Sequence, residues 1–81
     1  MKIKGHFQEV KGYWIIDIPE LKIVTQALKK EEVYEMIKEA IELTINHEGF
    51  EVTIKPEENN SFSVESNNPE LLSSFMDRRN R

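Results

Sequence analysis

In the stretch GYWIIDIPEL, residues 12–21, the side chains alternate with a period of two between a glycine and a proline. Such alternation is typical of a β-strand buried mainly on one face. Gly12 opens the strand from a hairpin turn, and Pro19 closes it because proline has no N–H to donate to a ladder. We expect the core side of this strand to carry Trp14, Ile16 and Ile18.

Four further segments predict strands. KIKGHFQEV (residues 2–10) precedes this strand, and LKIVTQA (residues 21–27) follows it with alternating β-branched residues. Later, FEVTIKP (residues 50–56) and SFSVES (residues 61–66) alternate on either side of the polar run PEENNS. These two segments predict a second hairpin.

Between the two groups of strands the period changes to that of an amphipathic helix. Glu31 and Glu32 suit the positive end of the helix dipole, and Gly49 suits the left-handed position just past the helix end. We therefore predict a helix over residues 30–47. Its apolar stripe comprises Val33, Met36, Ile37, Ala40, Ile41 and Thr44.

The C-terminal segment predicts a second, short helix, with Asn68 as its cap and Pro69 at its first position. The predicted fold is α+β, in the order β-β-β-α-β-β-α, with an antiparallel sheet of three to five strands packed by one main amphipathic helix. Residues 1–66 are the expected α+β domain, and residues 67–81 the short helix and a basic tail. The apolar side chains at helical spacing in this tail segment are Leu71, Leu72, Phe75 and Met76.

The charges are unevenly distributed along the chain, whose net charge is −4. Residues 1–30 sum to +3, residues 31–70 to −9, and the last eleven residues to +2. An acidic middle disfavours general binding to a phosphate backbone, which depends on clustered Lys and Arg. It favours a basic protein partner.

The length of 81 residues allows one domain with a small core. A small core and open strand edges favour a homodimer or a larger oligomer. The absence of cysteine excludes disulfides and thiolate metal sites. No apolar run is long enough for the apolar region of a signal peptide or for a membrane span. We therefore expect a cytoplasmic protein that does not contact membranes.

No pattern in the sequence predicts an enzyme, a cofactor or a metal site. His6 and His47 are far apart and belong to no metal-ligand motif, and Asp17 has no companion carboxylate nearby in sequence. The glycines are isolated, so no phosphate-binding loop is present.

Two surfaces are candidates for binding. Glu35, Glu39 and Glu42 share the polar face of the helix and, with the neighbouring acidic segment 51–58, suit a basic protein partner. The alternative is that these glutamates only form the solvent-exposed face of the helix and bind no partner. The second surface is a candidate nucleic-acid contact and comprises Lys2, Lys4, Arg78, Arg79 and Arg81. A solvated strand face and a solvated tail are the simpler explanation of these residues.

The order of these motifs is similar to the N-terminal domain of the HicB family of antitoxins. In that family a Gly-Tyr-Trp-like strand leads into a Pro-acidic-Leu turn, a third strand, and a helix with acidic residues near its start. The resemblance covers residues 3–45. Its matching positions are Gly12, Tyr13, Trp14, Pro19, Glu20, Leu21, Thr25, Glu31, Glu32, Glu39, Ala40 and Ile41.

The resemblance implies an antitoxin of a type II toxin-antitoxin system, which neutralises a small basic HicA-type ribonuclease acting on mRNA by covering its catalytic surface. The chain departs from the family pattern at Lys22-Ile23, where Pro-Gly is usual, and at Lys29, where a Ser or Thr helix cap is usual. Many family members also carry a helix-turn-helix or a ribbon-helix-helix DNA-binding segment. Residues 66–81 are too short for the first and lack the strand and the second helix of the second.

Two alternatives to an antitoxin remain open from the sequence. One is a solitary HicB-like regulator that binds nucleic acid through the basic strand and tail, which steep salt dependence would support. The other is a hydrolase, because the family fold resembles a reduced ribonuclease H. That chemistry needs clustered carboxylates to hold metal ions.

Overall fold

The computed structural model describes residues 2–79, with Arg79 described by its backbone alone. The chain forms five strands and two α-helices in the predicted α+β order. Two short 3₁₀ turns, Pro19–Leu21 and Lys30–Glu32, precede the third strand and the first helix. The elements are β1 Ile3–Val10, β2 Tyr13–Ile18, β3 Ile23–Ala27, α1 Val33–Ile45, β4 Val52–Pro56, β5 Ser61–Ser66 and α2 Pro69–Arg79.

All five strands form one antiparallel sheet in the order β3-β2-β1-β5-β4. The first three strands follow one another as a meander, and β4 and β5 form a hairpin that joins the sheet where β5 pairs with β1. The register of β1 and β5 places Ile3 opposite Val64 and Gly5 opposite Phe62. The strands β3 and β4 are therefore the two edges of the sheet.

The turns of both hairpins follow their sequence signals. Lys11 and Gly12 have φ of 52° and 86°, which is the pair of positive angles that a two-residue type I′ turn requires. Asn59 and Asn60 take positive φ between β4 and β5, where asparagine tolerates the left-handed region better than most residues.

The core lies on the face of the sheet that the helices cover. The predicted facing of β2 is confirmed, because Ile16 and Ile18 are fully buried on this side. Trp14 lies at the margin of the core and is half-buried; its ring meets that of Phe7 edge-on at 5.8 Å, and Lys30 Nζ lies 5.6 Å from its centroid. The other large, fully buried side chains are Ile3, Leu21, Val33, Ile37, Ile41, Phe62, Val64 and Leu72.

The end of α1 differs from the prediction. The left-handed residue that terminates the helix is Asn46, with φ of 47°, and its N–H donates to the carbonyl of Glu42 at 2.9 Å. Gly49 takes its positive φ three residues later, in the turn that leads to β4. The helix therefore stops two residues early, because asparagine also tolerates the left-handed region. Thr44, predicted in the apolar stripe, is exposed in this last turn.

The predicted cap of α2 is confirmed. Asn68 Oδ1 accepts a hydrogen bond from the backbone N–H of Leu71 at 3.1 Å, and Pro69 begins the helix. The helix lies against β5 and the 3₁₀ turn Pro19–Leu21, and Leu72 joins the same core as α1.

Candidate partner-binding surface

Four glutamates at the start of α1 form an exposed acidic group, here called the acidic helix surface: Glu31, Glu32, Glu35 and Glu39. Glu31 and Glu32 lie in the 3₁₀ turn that leads into α1, and Glu35 lies in the first helical turn. At about 100° per residue, Glu35 and Glu39 project from one side of α1, and Glu31 and Glu32 precede them in the adjoining turn. Within residues 2–79, none of them forms an ion pair with another side chain.

Glu42, the third glutamate predicted to bind a partner, has a structural role. Its carboxylate accepts hydrogen bonds from Lys38 Nζ at 2.7 Å and from the backbone N–H of Val52 at 3.1 Å. The hydrogen bond with Lys38 lowers the pKa of Glu42 and raises that of Lys38. Glu42 is therefore less available to a partner than Glu35 and Glu39, and its part in binding remains a prediction.

Leu43 adds an apolar side chain to the same side of α1. It is 67% exposed and follows Glu39 by one helical turn. Leu43 is not among the residues that the sequence predicted to bind a partner. The available signal was a leucine one turn beyond two glutamates, on the polar side of an amphipathic helix.

The lysines of the first strand lie on the open face of the sheet, which the helices leave uncovered. Lys2 Nζ lies 3.9 Å from Glu65 Oε1, and Lys4 Nζ lies 3.7 Å from Glu57 Oε1. Lys55 in β4 also approaches Glu65, at 3.5 Å. Cross-strand register brings these groups together, so acidic neighbours offset the positive charge of this face.

The predicted basic residues do not form one described surface. Arg78 is exposed in α2, on the helix-covered side of the sheet, whereas Lys2 and Lys4 lie on the open face. The side chain of Arg79 and the whole of Arg81 lie outside the described residues.

The open face also contains one pair that the sequence did not reveal. His6 and Asp17 are register partners in β1 and β2, and His6 Nε2 lies 3.7 Å from Asp17 Oδ2. Both side chains are exposed to solvent. Among the described residues, no cluster of three or more His, Asp or Glu side chains is placed to hold a metal ion, and no pocket is present.

Comparison of the chain with protein-family models, with curated proteins and with solved structures gave no match. Neither of the α-helices in the described part of the chain has the length and apolar character needed to cross a bilayer.

Proposed function

We propose that this protein is an antitoxin-like inhibitor that acts in the cytoplasm, where it binds and blocks a small basic ribonuclease of the HicA type. One observation carries the proposal: the glutamates of the acidic helix surface lack ion-pair partners among the described residues, whereas the lysines of the sheet lie beside glutamates. The exposed charge that the fold leaves uncompensated at α1 is thus negative, and such a surface attracts a basic protein.

Helix stability alone does not account for this surface. Glu35 and Glu39 are four residues apart in α1, and like charges at that spacing destabilise a helix by about 0.2–0.5 kcal/mol. The helix dipole offsets this cost in the first turn, but its effect falls off before Glu39. A basic partner would remove the repulsion by placing positive charge between these side chains.

Leu43 supplies the apolar contact that such an interface needs. Binding energy concentrates in a few well-packed side chains, while charges around them mainly raise the association rate. Leu43 is exposed beside Glu39 on the same side of α1. We assign it as the apolar anchor of the interface, with Glu35 and Glu39 as the groups that steer the partner.

The residues that carry the resemblance to HicB antitoxins include both buried and exposed side chains. Leu21 and Ile41 are fully buried, so this part of the match concerns the scaffold. Glu31, Glu32 and Glu39 are exposed and belong to the acidic helix surface. The match therefore includes the surface to which we assign partner binding.

Co-expression with the small basic protein encoded beside the gene for this chain tests the proposal. That protein alone should arrest growth, and co-expression of the chain should restore it. A Leu43→Arg variant should lose the rescue, because an arginine places a charge where the apolar contact forms. Val10→Arg is the matched control, since Val10 is also exposed but lies on the open face of the sheet.

The assignment fails if the neighbouring protein is harmless alone, or if it arrests growth equally with and without this chain. Binding to nucleic acid would then be measured as a function of salt concentration. A steep loss of affinity with salt, removed by Lys2→Glu with Lys4→Glu, would favour the regulator.

A further inference from the structure

The two edges of the sheet differ in how their backbone groups are satisfied. At the β4 edge, the N–H of Val52 donates to Glu42, and its carbonyl lies 3.4 Å from Lys38 Nζ. The strand ends at Pro56, which has no N–H. Side chains of α1 and a proline therefore block this edge at its two ends, and proteins commonly use such features to prevent strands from pairing with other chains.

The β3 edge has none of these features. Its five residues, IVTQA, are uncharged and contain no proline. Within residues 2–79, their outer backbone groups form no hydrogen bond to a side chain or to another loop. An open edge of β-branched residues is a template for another strand.

Apolar side chains are exposed along the same edge. Val24 and Leu28 are 69% and 65% exposed, and Tyr13 in the adjoining strand is 46% exposed. In the register of β2 and β3, Val24 lies opposite Asp17 and Gln26 lies opposite Ile15. These four side chains all lie on the open face of the sheet. A strand added at β3 would cover part of this apolar surface.

We propose that β3 pairs with β3 of a second copy of this chain, antiparallel and about a two-fold axis perpendicular to the sheet. A two-fold axis makes each open edge the partner of an identical one, so both are closed at once. The midpoint of Ile23–Ala27 is Thr25, and pairing centred there uses the whole strand. In that register Ile23 lies opposite Ala27 of the partner, a large residue against a small one.

With Thr25 on the axis, the end of β3 that carries Glu20 and Lys22 lies toward the end of the partner strand that carries Lys29 and Lys30. Glu20 is the acidic group there that offsets the lysines. The pairing joins the two sheets into one, with both α1 helices on the same side. Two acidic helix surfaces would then face the same direction.

Charge substitutions on the open face test both the dimer and its register. In the proposed register Val24 lies opposite Gln26 of the partner, so Val24→Lys with Gln26→Lys places two pairs of like charges directly across the interface. The dimer dissociation constant should rise by about tenfold or more. The corresponding double glutamate variant should also be weakened, and an equimolar mixture of the two variants should form a heterodimer.

Sedimentation equilibrium of the full chain gives these constants, and circular dichroism verifies that each variant is folded. The wild type should reach twice the monomer mass of 9.6 kDa at micromolar concentration. Ser73→Lys with Ser74→Lys is the matched control, because both serines are exposed and the pair adds the same charge but lies on α2. A wild type that stays monomeric would overturn the proposal, as would a folded lysine variant that dimerises like the wild type. Separate weakening without heterodimer formation would overturn the register.

Discussion

The carboxylate of Glu42 in α1 accepts a hydrogen bond from the backbone N–H of Val52 in β4, at 3.1 Å. Lys38 Nζ donates to the same carboxylate at 2.7 Å and approaches the carbonyl of Val52. Two helical side chains therefore bind the donor and the acceptor of one strand residue. This contact ties the helix to the edge of the sheet, and it separates Glu42 from the glutamates that remain exposed.

Removal of this carboxylate should destabilise the fold. Glu42→Ala leaves the N–H of Val52 without its protein acceptor, and we expect a loss of about 1 kcal/mol in the free energy of unfolding. Glu39→Ala is the control, because Glu39 is exposed on the same helix and forms no described ion pair; it should change stability by less than about 0.5 kcal/mol. Urea denaturation followed by circular dichroism measures both. Equal losses in the two variants would contradict the structural role of Glu42.

The contribution of Glu42 should depend on pH. Its pKa in the folded protein is lowered by the hydrogen bond from Lys38, relative to the ordinary value of 4.5. The stabilisation is therefore fully present above pH 4.5 and is lost as the pH falls through the lowered folded-state pKa. We expect the difference in unfolding free energy between the wild type and Glu42→Gln to be constant near neutral pH and to shrink in acid. A difference that grows in acid would contradict this assignment.

Substitution of Gly5 should be costly although alanine is a small residue. A Cβ at this position would lie 2.8 Å from the carbonyl oxygen of Asp17 and against the ring of Phe62, which is fully buried. Overpacking of this kind costs about 1–3 kcal/mol, so Gly5→Ala should lower the melting temperature clearly. In a double-mutant cycle, Phe62→Leu should relieve part of the loss. Additive effects of the two substitutions would show that the ring does not cause the strain.

The position of Trp14 at the margin of the core limits the loss of stability that its replacement should cause. A fully buried aromatic residue replaced by alanine costs about 3–5 kcal/mol, and the half-buried Trp14 should cost less, about 2 kcal/mol. Trp14→Phe retains a ring beside Phe7 and should lose no more than about half as much. Thermal unfolding followed by circular dichroism measures both variants. A Trp14→Ala variant as stable as the wild type would mean that the indole contributes no packing energy.

Charge reversal on the acidic helix surface should slow association with the basic partner. The double variant Glu35→Lys with Glu39→Lys removes the attraction and should reduce both the association rate and its dependence on salt, because screening acts mainly on long-range steering. Glu42 is left unchanged, since its replacement would also disturb the contact with Val52. Stopped-flow or surface-binding kinetics measures the rates.

The matched control for this reversal is Glu70→Lys with Asp77→Lys. Both residues are exposed in α2, so the change in net charge is the same but lies on another surface. The control should associate faster than the α1 variant. Equal rates for the two variants would show that net charge, rather than the acidic helix surface, steers the partner.

The pattern of residues along the chain was enough to predict the elements of this protein, their order and most of their ends. A period of two over residues 12–21 and a period near 3.6 in the following segment depend only on neighbours along the chain, as do the cap at Asn68 and the hairpin at Gly12. The facing of β2 followed from the same alternation. The exact end of α1 did not, because both Asn46 and Gly49 suit a left-handed residue and only one terminates the helix.

Which charges remain exposed depends on contacts between distant parts of the chain, and these contacts form only in the folded protein. Lys4 lies beside Glu57 because the second hairpin adds to β1 through β5, and that pairing joins distant parts of the chain. The contact between Glu42 and Val52 likewise depends on where the helix crosses the sheet. Local patterns place an ionisable side chain on a face and account for the pair of Lys38 and Glu42, which lies within one helix. Partners such as Val52 and Glu57 come instead from strands and turns brought there by long-range packing. For that reason the sequence predicted Glu35, Glu39 and Glu42 as one group, and only the fold separated Glu42 from the other two.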